Sequence, residues 1–285
     1  MKKIAQICPN EFNHVDPNFV TGWKKYLDKL IIVDDLNKAD PEIPFILPAN
    51  PIGFTRRWMD KKLPYFSINR PYIGSWLEGR RFAFRVAVNS FACTQLGNAL
   101  HSRWHTTRLS KHPWKVNSIK NVLIAPSKKS QKAFSGEDPE IWSENLKNFF
   151  VEQGCNVKIR PKAGKKGVQH YGDSNRGVVG LFQQNGDFDW ADLVISYSSA
   201  ITCEAFWYGK KAISLGVCPT WVACEKNLDN WSNPTEPKNR DEWHEHMSWI
   251  QFNYDEWNNG SAQEMTVHYQ GWPTKVPHTN NEIKG

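Results

Sequence analysis

The stretch 190–215, WADLVISYSSAITCEAFWYGKKAISL, constrains the fold more than any other part of the chain. Leu193, Val194 and Ile195 form an apolar run with the length and character of a buried parallel strand. Ser196-Tyr197-Ser198-Ser199 then places hydroxyls where a helix must begin, with Ser198 or Ser199 as its N-cap. Residues 200–208 are predicted helical, Gly209 ends the helix, and 212–215 is the next strand. The stretch is therefore a strand–turn–helix–strand unit whose hydroxyl-rich helix N-terminus sits at the carboxyl end of a strand. Open α/β sheets bind phosphorylated ligands at such ends, because free N–H groups and the helix dipole point at the anion. Glu204 lies one turn further on, within reach of a ribose. The plain alternative is an ordinary, well-capped βαβ unit.

The residues before this unit repeat its logic. Residues 119–125 form a strand ending at Pro126, and Ser127-Lys128-Lys129-Ser130 follows as a basic, hydroxyl-rich loop. Residues 139–153 are a helix closed by Gly154, and 157–159 a strand that ends in Arg160-Pro161-Lys162. Residues 163–180 are rich in Gly, Lys and Arg and are expected to be a loop. Three strand ends thus gather Ser127, Ser130, Arg160, Lys162, Ser198, Ser199, Thr202 and Glu204 on one edge. Two cations, several hydroxyls and a helix N-terminus suit a diphosphate. The lobe is a doubly wound, Rossmann-like sheet without the GxGxxG fingerprint. Walker-type and GxSxG patterns are also missing from the sequence.

The first half is predicted as strands near 3–8, 30–33, 44–47, 64–68 and 80–88, with helices over 19–30, 54–60 and 91–104. Its first strand-end loop carries His14 and Asp16, either of which can take a proton from a hydroxyl. His101 and His105 share a helix spacing, but Ser102 stands where a zinc-binding helix would have Glu, so no metal site is expected. No apolar run reaches the roughly 18 residues of a membrane span. The N-terminus is too short for a signal peptide, and the six cysteines form no CxxC pair, so a cytoplasmic protein with reduced thiols is expected. Lys and Arg number 36 against 29 Asp and Glu, a basic excess that favours polyanionic partners. Arg56, Arg57, Arg70, Arg80 and Arg81 alternate with Tyr72 and Trp76, a pattern suited to a phosphate track beside a stacking face.

The NVLIAPS, IRPK and ADLVISYSSAITCEAFWYGKKAIS segments resemble the donor lobe of GT-B glycosyltransferases. PYFSINRPYIG at 64–74, FRVAVN at 84–89 and IQFNYDEWNNGSA near the C-terminus resemble a group of small phage-encoded glycosyltransferase-like proteins. The resemblance implies an α/β, GT-B-like fold: an N-terminal acceptor-side lobe over 1–116, a donor lobe over 117–250, and a crossing helix and tail over 251–285. It implies two lobes facing a cleft, a nucleoside diphosphate sugar (a UDP-sugar first) as donor substrate, and no tightly bound cofactor or essential metal. It also points to double-stranded DNA carrying hydroxymethylated pyrimidines as acceptor, with a monomer as the expected state. Members of that group tend to carry an acidic residue where this chain has Asn69. The alternatives are a polysaccharide or small glycoside acceptor, and a non-catalytic nucleic-acid-binding protein that keeps the fold.

Overall fold

A computed structural model describes residues 2–8, 19–48, 57–58, 60–69, 71–73, 84–90, 92–103, 112–127, 131–132, 135–160 and 187–275. The chain divides into two compact units: Met1–Pro71, Phe82–Arg103 and His246–Asn280 form one; Tyr72–Arg81, Trp104–Glu245 and Asn281–Gly285 the other. The first unit is therefore assembled from both ends of the chain.

In the first unit the strands are β1 (Ile4–Ile7), β2 (Lys29–Ile32), β3 (Phe45–Pro48), β4 (Tyr65–Asn69) and β5 (Phe84–Val88), with helix α1 (Phe19–Tyr26) between β1 and β2. The sheet runs β10-β5-β4-β3-β1-β2, where β10 is the two-residue strand Gln251–Phe252. Pairings from β2 through β1 and β3 to β4 are parallel, whereas β5 runs antiparallel to β4 and β10 antiparallel to β5. Trp23 of α1 packs on Phe66 of β4 at 4.7 Å between ring centroids and on Trp257 at 6.4 Å. Ile46, Val86, Phe252 and Ala262 complete that core. Trp257 belongs to α6 (Tyr254–Asn259), which a reciprocal Asn253–Glu256 capping box starts, and α7 (Ser261–Gln270) follows. A Cβ on Gly22 would lie 1.8 Å from the Trp257 carbonyl oxygen, so glycine lets α1 approach α6 this closely.

Residues 92–103 are irregular, against the expected helix over 91–104. Their backbone is used elsewhere: Asn98 N–H donates to Tyr269 O at 3.0 Å, and Gly97 sits so near that carbonyl that a Cβ would meet it at 2.0 Å. Gln270, the last residue of α7, bonds β5 as a neighbouring strand would: its Oε1 accepts from Val88 N at 3.0 Å and its Nε2 donates to Val86 O at 2.9 Å. Buried His246 lies between the Cys93 carbonyl, 2.9 Å from Nε2, and the Tyr269 hydroxyl, 2.8 Å from Nδ1. A carbonyl only accepts, so Nε2 carries the proton and Nδ1 accepts from Tyr269.

The second unit contains β6 (Asn121–Ala125), α2 (Pro139–Glu152), β7 (Asn156–Ile159), α3 (Asp187–Trp190), β8 (Leu193–Ser196), α4 (Ala200–Trp207) and β9 (Lys211–Ser214). Its sheet is parallel throughout, in the order β7-β6-β8-β9. Asp138 caps α2 by accepting from Glu140 N at 2.8 Å, with Pro139 in the first turn. Trp142, Leu146 and Phe150 of α2 pack on Val122, Ile124, Leu193, Ile195 and Ile213. Gly209, at φ +81°, ends α4 beside the Pro113 carbonyl. Buried Arg240, the first residue of α5 (Arg240–Ile250), donates to the Phe206 and Trp207 carbonyls at that helix end and to Glu236 at 2.6 Å. The α/β class and the doubly wound parallel arrangement expected from the sequence are present, β1 and β6 each having chain-successive strands on opposite sides. No described helix is long and apolar enough to cross a membrane. All six cysteines are free.

Candidate functional site

In the second sheet the strand order reverses between β6 and β8, since β7 lies on one side of β6 and β8 on the other. The carboxyl ends of β6 and β8 flank this reversal, which is where such sheets bind ligands. Ser127 follows β6 and Ser196 ends β8, with their Oγ atoms 3.3 Å apart. The Ser196 hydroxyl donates to Ala125 O at 2.7 Å, so its one hydrogen is committed and Ser127 is the donor between the pair. Arg160 follows β7 and is tied to the same edge by its backbone N–H, 2.8 Å from Ile124 O.

Ser199 caps α4: its backbone is extended, and its side chain accepts from Ile201 N. Ser198 and Ser199 remain half-buried at the helix N-terminus. Thr202 has a different place from that expected of a ligand hydroxyl. It is fully buried, donates to Ser199 O at 3.0 Å and touches Cys218 Sγ at 3.3 Å, so it holds the turn from within. Cys203 packs beside it, its Sγ 3.6 Å from that of Cys218.

Glu204 is the electrostatic centre of the edge. Its Oε2 is buried without a hydrogen-bond partner. Burial pushes its carboxyl up to about 8, and the positive charge of Arg160 opposes that rise. Glu204 is therefore largely protonated at neutral pH in the ligand-free protein. Its negative charge, when present, adds to burial in raising Tyr208 to about 12. A partner for Oε2 would recover a desolvation cost of about 1–3 kcal/mol.

The sequence reading missed Gln131. It is wholly buried, its Oε1 accepts from Ser127 N at 3.2 Å, and its Nε2 has no partner. The only signal in the sequence is its position four residues beyond Ser127, which the basic loop between them obscures.

Of the remaining expected site residues, His14, Asp16, Ser130, Lys162, Arg56, Arg70, Trp76, Arg80 and Arg81 lie outside the described residues. Arg57 is exposed. Tyr72 is buried at 6% exposure, and neighbouring Trp58 and Tyr65 are buried too, so none of the three presents a stacking face. Arg85 is likewise buried. The described part of the arginine–aromatic stretch thus splits, the aromatics inside and Arg57, Lys61 and Lys62 outside. Among the described residues, no group of three or more His, Cys, Asp or Glu is gathered to hold a metal.

No protein-family model matches the chain, and no curated protein sequence matches it. Solved structures do match, among them the β-Kdo 2,7 transferase KpsC of Thermosulfurimonas dismutans. The likeness covers 86% of this chain and 90% of that one, with 8% identity and a TM-score of 0.44. A superposition this loose leaves the activity to be argued from the residues themselves.

Proposed function

We propose that the second unit binds a nucleoside diphosphate sugar and that the protein transfers the sugar to an acceptor hydroxyl, as a GT-B-type glycosyltransferase does. The observation that carries this reading is the gathering of Arg160, the hydroxyls of Ser127, Ser198 and Ser199, and the unpartnered Glu204 carboxyl at the carboxyl edge of one parallel sheet. Arg160, with Lys162 two positions further along the sequence, supplies positive charge for the diphosphate, and the α4 N-terminus adds its dipole. Glu204 Oε2, buried without a partner, hydrogen-bonds a ribose hydroxyl. In the transfer step the acceptor oxygen attacks the anomeric carbon. The bond from that carbon to the diphosphate oxygen breaks, and the diphosphate leaves with the electron pair. The acceptor's proton passes to His14 or Asp16. Cations and N–H groups aimed at the diphosphate act where charge grows during this step.

For the acceptor we propose a hydroxymethylated pyrimidine in DNA, on the strength of the basic excess and the exposed Arg57, Lys61 and Lys62. Burial of Trp58, Tyr65 and Tyr72 removes them from any base-stacking role, so charge carries this part alone.

The donor half is tested by calorimetry against UDP, CMP, GDP and their sugar conjugates. One of them binds, and Arg160→Ala weakens it at least about tenfold, the loss expected of a charged hydrogen bond; silence across the whole panel overturns the donor site. The acceptor half is tested by DNA titration at rising salt, followed by mass spectrometry of nucleosides from hydroxymethylated DNA incubated with donors. Salt-insensitive or absent binding with no added sugar removes DNA as acceptor.

A further inference from the structure

We infer that Gln131 is a ligand-contacting residue of the donor site, its side-chain amide donating to a phosphate oxygen at the reversal between β6 and β8. The inference rests on the donor-site reading above and names the residue that would meet the phosphate there.

The geometry begins with Ser127. Its backbone N–H is an unambiguous donor, so the Gln131 atom facing it at 3.2 Å must be Oε1. The backbone N–H of Gln131 returns to Ser127 O at 2.9 Å, which closes the turn and fixes the residue from both ends. The amide cannot flip without setting two donors against each other. Nε2 is therefore the far end of a pinned group, with two hydrogens and no partner, on a side chain that is wholly buried. Buried donors are nearly always paired, and an unpaired one in a fixed orientation marks a place for a ligand or a bound water.

The surroundings state what is missing. Ser196 has spent its hydrogen on Ala125 O, and Ser127 shares its own with Ser196. With both serine hydrogens spent, Gln131 Nε2 is the donor this corner holds for an oxygen acceptor. Arg160, on the adjacent strand end, makes an anionic acceptor favourable. Across the same edge Glu204 Oε2 is a second buried polar atom without a partner, one that a hydroxyl can satisfy in either protonation state of the carboxyl. A ligand with an acceptor-rich anion at one end and a hydroxyl donor at the other fills both. A nucleotide's phosphate and ribose have that polarity, whereas a free sugar lacks the anion and inorganic phosphate lacks the sugar.

The test uses the full chain with glutamine side chains labelled with nitrogen-15. Gln131→Glu keeps an oxygen toward Ser127 N–H and replaces the donating NH2 with an acceptor; it also assigns the Gln131 amide signal by its disappearance. UDP is the first probe, followed by the other nucleotides and by pyrophosphate alone. The expected result is that the Gln131 amide signal moves on saturation with UDP and with pyrophosphate. Gln131→Glu should weaken UDP binding at least about tenfold while its circular dichroism and melting transition stay cooperative. Should Gln131→Glu fail to fold, the wild-type amide shift decides, with the signal assigned through Gln131→Asn. UDP that binds by calorimetry without moving the amide signal overturns the role of Gln131 and leaves the donor site standing. Absence of binding by any nucleotide overturns both.

Discussion

Glu204 and His246 have opposite protonation problems, and the signs separate them. Glu204 sits at about 8 in the folded chain against an ordinary 4.5, so the folded state holds the proton more tightly than the unfolded one. Its contribution is fully present below pH 4.5 and is lost as pH rises toward 8. Glu204→Gln should flatten that limb, which urea midpoints from pH 5 to 9 would reveal; a wild-type slope retained in the variant would show that another group is responsible. His246 is pushed down to about 4 by burial, which the Cys93 carbonyl only partly opposes. The unfolded state is then the tighter proton binder, so stability is intact above pH 6.5 and falls through the window down to pH 4. The loss approaches about 3 kcal/mol. Urea midpoints of wild type and His246→Gln between pH 7 and 4 test this, the variant losing the slope.

At the scale of elements, Gly22 shows how packing overrides propensity. Alanine in mid-helix is intrinsically better than glycine by about 1 kcal/mol. Gly22→Ala should nonetheless destabilise the first unit by about 1–3 kcal/mol, because the new methyl collides with the Trp257 carbonyl rather than with a movable side chain. Thermal melts of Gly22→Ala against wild type give the answer, and an unchanged or higher Tm would mean that α1 and α6 separate freely. The same contrast explains what the sequence made legible. β6 to β9 were placed almost to the residue, because each apolar run, cap and terminal glycine of a βαβ unit is local. Residues 92–103 carry helical spacing, yet Asn98 gives its N–H to Tyr269, about 170 positions away, and no local pattern announces that. At the candidate site, Ser127, Ser199, Arg160 and Glu204 were legible from strand ends. The unpaired Gln131 amide was not, since it depends on which way a buried side chain is turned.

The first unit of the whole molecule is closed by residues far from the rest of it. β10, α6 and α7 contribute Phe252, Trp257 and Ala262 to its core, and Gln270 completes the backbone bonding of β5. A chain ending at residue 245 should therefore lose cooperative folding of the first unit while the four-stranded parallel sheet of the second persists. Limited proteolysis with mass mapping would show cleavage concentrated before residue 103; equal protection of both units in the shortened chain would contradict it. The second unit draws its described strands from one continuous run of chain, Asn121 to Ser214. On the ribosome, where chains emerge at about 5–20 residues per second, this inverts the usual order. The unit encoded in the middle can fold while the one begun first still waits for its last helices. For that interval β1 to β5 are exposed apolar strands, the part of this molecule with most need of a chaperone.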